Sequence, residues 1–245
     1  MELSKRLYAV AALVTEGASV ADVGTDHGYI PIYLIQEKIA SRVIAMDINK
    51  GPLERARIHI EEQGLSDRIE TRLSDGTQAL VPGETDTLIT AGMGGGLVIH
   101  ILEEGKDVIN QMKTCILQPQ SEIDKVRRYL TQEHFLIVDE DMVEEDGKYY
   151  PILKVEHGES ETYEEYEYYY GKKLLEKKHP VLRDFLLREC AIQEKILKQL
   201  NKQADSTSIQ VRKAELEMCI RDSLKVIEKK CIINIKYVKE MTKNK

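Results

Sequence analysis

Three features that would point to familiar functional classes are missing from this 245-residue chain. Its four cysteines, Cys115, Cys190, Cys219 and Cys231, are scattered, with no CxxC pair and no histidines beside them. That excludes a disulfide framework and a zinc module, and makes a reducing, cytoplasmic compartment the default. No apolar run approaches the roughly 20 residues needed to span a membrane. The nearest, Leu7–Val14, follows Lys5-Arg6 but lacks a small-residue cleavage pattern, so an amphipathic helix is expected rather than a leader. Positive charge is in deficit, with a formal net charge of −7, so a polyanionic partner would have to meet a local basic face. No internal repeat is present.

What is present is an alternation of short apolar runs with helical stretches. Ser19–Val23, Arg42–Asp47, Ile69–Leu73, Thr87–Ala91 and Thr114–Gln118 read as buried strands, each followed by a turn signal and a helical segment. Tyr29–Glu37 and Pro52–Gln63 are the clearest helices; the latter repeats Leu53, Ala56 and Ile60 at helical spacing and ends at Gly64. Strands alternating with helices predict βαβ units in a mainly parallel, doubly wound α/β sheet. Phe135–Met142 and Tyr149–Val155, joined by the acidic turn Glu144-Glu145-Asp146-Gly147-Lys148, predict an antiparallel hairpin at the end of that sheet.

After the polar segment Glu156–Glu165 the chain turns helical, which divides it into residues 1–158, a helical module 159–217 and a tail 218–245. Two antiparallel helices broken near His179-Pro180 fit the module's apolar spacing. Basic residues gather there: Lys172, Lys173, Lys177, Lys178, Arg183, Arg188, Lys195, Lys198 and Lys202. A solvated helix face and a phosphate-facing surface explain them equally well. Tyr163, Tyr166, Tyr168, Tyr169 and Tyr170 cluster just before, where packing is the simpler role and base stacking the alternative. Met218–Ser223 (MCIRDS) matches a string that appears when sequencing-adapter DNA is translated, and Cys231–Tyr237 changes character abruptly. The chain beyond about Glu217 is therefore expected to be non-native.

The candidate chemistry lies at the carboxyl ends of the strands, where open α/β sheets bind ligands. Asp22-Val23-Gly24-Thr25-Asp26-His27-Gly28 closes the first strand. It is not the GxGxxG that faces a pyrophosphate, and Asp22 and Asp26 would repel one. They suit a positively charged cofactor, such as one with a sulfonium or an amino group. Gly24 permits close backbone approach, Gly28 permits close packing of the following helix, and His27 fits best as a hydrogen-bonding element of the turn. Asp47, followed by Ile48, ends the second strand where a carboxylate can accept from ribose hydroxyls. Capping of the helix beginning near Gly51 is the competing role. Ser74-Asp75-Gly76 follows the third strand, where Asp75 can accept from an adenine amine; a plain Asp-Gly turn is the alternative. Ala91-Gly92-Met93-Gly94-Gly95-Gly96 closes the fourth strand and brings backbone groups close to a reacting atom, with Met93 suited to pack on an aromatic base. Gln118-Pro119-Gln120 ends the fifth. No residue set suggests a metal.

Taken together, these segments resemble the bacterial tRNA (adenine-N1)-methyltransferases of the TrmK type, which modify adenosine 22 in the D-arm. The resemblance runs from about Leu3 to about Leu200. It rests on Ser4-Lys5-Arg6-Leu7, Asp22-Val23-Gly24-Thr25-Asp26-His27, Gly51-Pro52, Asp75-Gly76, Ala91-Gly92-Met93-Gly94-Gly95, Leu117-Gln118-Pro119 and Glu144-Glu145-Asp146-Gly147-Lys148. It implies a class I methyltransferase, Rossmann-like doubly wound sheet with a C-terminal hairpin and a small coiled-coil-like helical module. S-adenosylmethionine would be held by Asp22, Gly24, Asp26, His27, Gly28, Asp47, Ile48, Asp75, Gly76 and Gly92. Asp26, Gly92 and Met93 would stand at the reacting atoms, and Lys5, Arg6, Gly94, Gln118, Lys172, Lys173, Lys177 and Lys178 on the tRNA side. A monomer or weak dimer is expected, with no membrane partner. The chain departs from the family in having Asp47 where Glu is usual and Gln120 where Asn is usual. Competing classes are another class I methyltransferase, a NAD-dependent oxidoreductase, against which the missing GxGxxG argues, and a non-catalytic cofactor-binding adaptor.

Overall fold

The computed structural model describes residues 2–202 and 206–230. The chain forms two compact units, one ending at Tyr163 and one starting at Glu164. The first runs α1 (Lys5–Ala12), β1 (Ala18–Val23), α2 (Tyr29–Gln36), β2 (Ala40–Asp47), α3 (Lys50–Glu62), β3 (Ile69–Leu73), β4 (Thr87–Met93), α4 (Gly95–Glu104), α5 (Lys106–Ile109), β5 (Thr114–Pro119), α6 (Ile123–Gln132), β6 (Phe135–Glu145) and β7 (Lys148–His157). The sheet has seven strands in the order β3-β2-β1-β4-β5-β7-β6. All pairs among β1 to β5 are parallel, whereas β7 is antiparallel to both of its neighbours. The order reverses between β1 and β4, so the ends of these two strands flank the switch point where ligands bind in such sheets.

Burial on both faces explains why the central strands read as continuous apolar runs. Ala21, Val23, Ile44, Met46, Leu88 and Leu117 face a core shared with Val98, Ile101 and Leu102 of α4 and Val126 and Leu130 of α6. Their sequence neighbours Val20, Val43, Ala45, Ile89 and Ile116 face the opposite core, with Val10 of α1, Ile32 of α2 and Ala56 of α3. The period of two along each strand sorts side chains between the layers.

Local signals set the boundaries. The Ser4 hydroxyl accepts from the Leu7 N–H and starts α1. Gly64, at φ +67°, ends α3, with the Leu65 N–H donating back to the Ile60 carbonyl. Between β6 and β7, Asp146 and Gly147 both have positive φ, +53° and +72°, as a two-residue hairpin turn requires. The hairpin is longer than the apolar pattern indicated, because its polar residues remain paired from Phe135↔His157 to Glu145↔Lys148, with one register shift between Ile137 and Asp139.

The second unit begins with two short helices, α7 (Glu165–Tyr170) and α8 (Lys172–Glu176), followed by α9 (Pro180–Leu200) and α10 (Thr207–Lys230). This corrects the expected helix pair broken at His179-Pro180. Pro180 does open a helix, at its first turn. However, the segment before it is split at Gly171 (φ +87°), and the long pair is α9 against α10. Met218–Ser223 lies inside α10, while Cys231–Tyr237 lies outside the described residues. Among the described residues no helix is long and apolar enough to cross a membrane, and no cluster of His, Cys, Asp and Glu could hold a metal.

Candidate active site

The turn after β1 is bound to the end of β2: the Gly24 and Thr25 N–H groups both donate to the Met46 carbonyl, at 2.8 and 2.9 Å. Gly24 has φ +79°, and a Cβ there would lie 2.2 Å from Cε of Met93. The side chain from the fourth strand thus rests directly on the first turn, which joins two sites that are distant in sequence. Gly28, also left-handed, stands at the N-cap position of α2 and packs on Ala56 of α3.

Asp22 is buried. Desolvation pushes its carboxyl up to about 6; the Thr25 side chain opposes the shift and the nearby Asp47 carboxylate adds to it. An acid held at that cost, with a second acid beside it, favours a cation. Asp47 is nearly buried, and its Oδ1 accepts the Asn49 N–H at 2.8 Å. Helix α3 starts one residue later, so Asp47 orients itself against the turn without being the N-cap. Ile48 is more than half exposed beside it. Asp75 is exposed after β3, and Gly76, at φ +54°, lies against Ile101 of α4.

Asp26 is left-handed (φ +47°) and exposed, and its Oδ1 accepts from Arg55 Nη2 of α3 at 2.8 Å. Arg55 is a site-edge residue that the sequence pattern does not reveal, since nothing local links it to a loop 29 positions away. His27 is half-buried, and its ring stacks on Tyr29 and His59 with centroids 5.2 and 5.5 Å away. His59 Nδ1 lies 3.0 Å from the His27 carbonyl. His27 therefore sits inside an aromatic stack, and its own Nδ1 is buried without a hydrogen-bond partner.

At the end of β4 the ladder slips: Ala91 pairs with Gln118 and Met93 with Pro119, which leaves Gly92 as the extra residue at φ +80°. Such bulges re-aim backbone beside sites. The Gly92 N–H donates to Gln118 Oε1 at 3.0 Å, and Arg6 Nη1 donates to the same oxygen at 3.0 Å. Gln118 is fully buried, so it contacts the loop and Arg6 rather than solvent. Gly94 is the N-cap residue of α4. A Cβ on Gly95 would lie 2.4 Å from the Ser121 carbonyl, which gives this glycine a packing reason that composition alone did not reveal. Lys5 is exposed at the start of α1. In the second unit, described by itself, Lys172 and Lys173 are half-buried, the latter paired with Glu176, and Lys177 and Lys178 are exposed.

A family model described as TrmK, tRNA (adenine(22)-N(1))-methyltransferase, matches residues 20–226. The chain belongs to the TrmK family. A tRNA (adenine(22)-N(1))-methyltransferase of Bacillus subtilis (strain 168) is 41% identical over 162 residues, 66% of this chain and 68% of that protein. The crystal structure of the B. subtilis m1A22 tRNA methyltransferase TrmK superposes with a TM-score of 0.79 at 34% identity, covering 92% of this chain and 99% of the other. The M. capricolum TrmK structure, in complex with the cofactor product S-adenosyl-homocysteine, gives 0.78 at 29% identity, with 93% and 99% covered. The TrmK match continues to residue 226, past Glu217, beyond which the sequence pattern predicts a non-native tail.

Proposed function

We propose that this chain is an S-adenosylmethionine-dependent methyltransferase that methylates N1 of adenosine 22 in tRNA. The observation that carries the reading is the row of carboxylates Asp22, Asp47 and Asp75 closing three adjacent strands in a member of the TrmK family. A buried acid pair at the ends of β1 and β2, a left-handed glycine turn and an unpartnered His27 Nδ1 fit a cationic nucleoside cofactor.

In this reading Asp22, Gly24, Asp26, His27 and Gly28 hold the amino-acid end of the cofactor. Asp47 and Ile48 hold the ribose, and Asp75 and Gly76 the adenine. When bound, S-adenosylmethionine supplies a methyl group on a sulfonium. Gly92, Met93 and Gly94 line the reaction side, with Gly92 also touching the cofactor. Unpaired adenine N1 carries its own lone pair, so no general base is assigned, and what the protein supplies is alignment, worth as much as ~7–11 kcal/mol. Extracting the base from its stack costs a few kcal/mol. The methylated base is cationic, and Asp26 would offset that charge while sharing its carboxylate with Arg55. Lys5, Arg6 and Gln118 border the reaction loop. Lys172, Lys173, Lys177 and Lys178 are the proposed phosphate contacts of the second unit. The protein would work in the cytoplasm as a monomer or weak dimer.

The test is calorimetric titration with S-adenosylmethionine followed by labelled-methyl transfer to unmodified tRNA, with adenosine 22 present or replaced. Binding plus transfer that disappears with the replacement is expected. Binding without transfer to either tRNA would remove the substrate assignment, and no binding would remove the cofactor site.

A further inference from the structure

The seat of Arg6 is more constrained than a phosphate contact needs. One buried amide oxygen, Gln118 Oε1, takes both the N–H of the bulged Gly92 and Nη1 of Arg6, each at 3.0 Å. The Gln118 Nε2 is directed to the Pro119 carbonyl at 3.2 Å, so the amide is anchored at both ends. The Arg6 guanidinium carbon lies 5.7 Å from the centroid of the Tyr150 ring on β7. Helix α1, which carries Arg6, is pinned to the same hairpin by its Lys5 N–H, which donates to Glu145 Oε1 at 2.6 Å. A planar guanidinium lying over a ring and hydrogen-bonded through Nη1 is more restricted in orientation than a flexible ammonium would be. Gly92, left-handed and outside the ladder, relies on this side-chain bond to hold its peptide plane.

We propose that Arg6, Gln118 and Tyr150 form a positioning relay that fixes the Gly92–Met93 backbone against which the target base is aligned. Arg6 then controls turnover rather than tRNA capture, and Tyr150 joins the machinery although no motif marks it. This assignment rests on the methyltransferase reading above. Gly92 is the residue that acts at the substrate; the three others act through it.

The experiment pairs steady-state kinetics with amide hydrogen exchange at Gly92 in the full chain. For Arg6→Lys, kcat should fall roughly 10- to 100-fold, the cost of a misaligned reacting pair. The KM for tRNA and the cofactor Kd should each move less than about threefold, because the positive charge and the cofactor's own partners remain. Exchange at the Gly92 amide should accelerate. Tyr150→Leu should show the same pattern, and Tyr150→Phe, which keeps the ring face, should recover most of the turnover. If Arg6→Lys preserves kcat and raises KM, Arg6 is a phosphate contact and the relay is wrong. If Gly92 exchange is unchanged in both Arg6→Lys and Tyr150→Leu, the relay is also wrong, whatever the kinetics. Wild-type protein that binds no cofactor and transfers no methyl group would remove the role in turnover together with the parent reading, and Gly92 exchange would separate that failure from a failure of the geometry.

Discussion

At the scale of single residues, the site concentrates cost where a ligand would relieve it, and Asp22 is the clearest case. Its carboxyl ionises near 3.8 in an unfolded chain and near 6 in the folded one, because burial outweighs the Thr25 side chain. Above pH 6 the group is charged in both states, and the folded protein carries the whole penalty, roughly 3 kcal/mol at most for a shift of this size. As pH falls from about 6 toward 3.8, the folded protein takes up a proton that the unfolded chain does not, and the penalty fades. Asp22→Asn should therefore raise the melting temperature of the ligand-free protein at pH 7.5 by several degrees and much less at pH 4.5. It should also weaken S-adenosylmethionine binding at least ~10-fold, as expected when one charge-assisted hydrogen bond is removed. Equal melting temperatures at pH 7.5 would mean that Asp22 is not strained. Asp22, Gly24, Asp47 and Gly92 were legible because acids and glycines directly after apolar runs stand out in a linear pattern. Arg55, Tyr150 and the His27–Tyr29–His59 stack were not, since each depends on which helix or hairpin returns to the turn, and no local spacing records that.

Elements are held to one another by devices that are only partly visible in the sequence. Arg127 of α6 and Glu140 of β6 are both fully buried, and Arg127 Nε and Nη2 donate to Glu140 Oε1 at 2.8 Å. A signal was available: Arg127 follows Ile123 by four positions, on the stripe that also carries Val126 and Leu130, where a charge needs a partner. Which acid would meet it could not be read, because β6 carries Asp139, Glu140 and Asp141 in succession and local spacing does not say which of them reaches α6. Arg127→Met removes the guanidinium from a buried carboxylate and should cost about 3–5 kcal/mol. The double change Arg127→Met/Glu140→Leu should recover much of that stability. Urea unfolding of both variants measures it, and an Arg127→Met protein within about 1 kcal/mol of wild type would show that the pair is not coupled in solution. Gly95→Ala should cost about 1–3 kcal/mol by overpacking, since its Cβ would meet the Ser121 backbone rather than a movable side chain. The expected helix pair in the second unit failed for a related reason. The break at Pro180 is strong in sequence, but Gly171 and the Lys178 turn, both at positive φ, divide the segment before it.

For the whole molecule, the central tension is that of an acidic protein with a polyanionic substrate. A net charge of −7 describes the sum, while binding responds to the charges near the phosphates. The strand–helix alternation, the mainly parallel sheet and the hairpin followed from periodicity and turn chemistry, so the candidate cofactor end was foreseeable. The strand order was not predicted, and neither was the tRNA surface, because a basic helix face looks the same whether it meets water or phosphate. In the second unit Lys177 and Lys178 are exposed and adjacent, with Lys178 at φ +53° in the turn that precedes α9. If they touch phosphate, Lys177→Glu/Lys178→Glu should weaken tRNA binding uniformly across tRNA sequences. The slope of log affinity against log salt should then shrink by ~2, about one for each lysine–phosphate pair removed. Cofactor affinity should not change, because Asp22, Asp47 and Asp75 all belong to the first unit. A binding titration at several salt concentrations decides the matter. An unaltered slope would return the lysines to the role of a solvated helix end and leave tRNA capture to the first unit, where Lys5 is the exposed cation next to the reaction-loop partner Arg6.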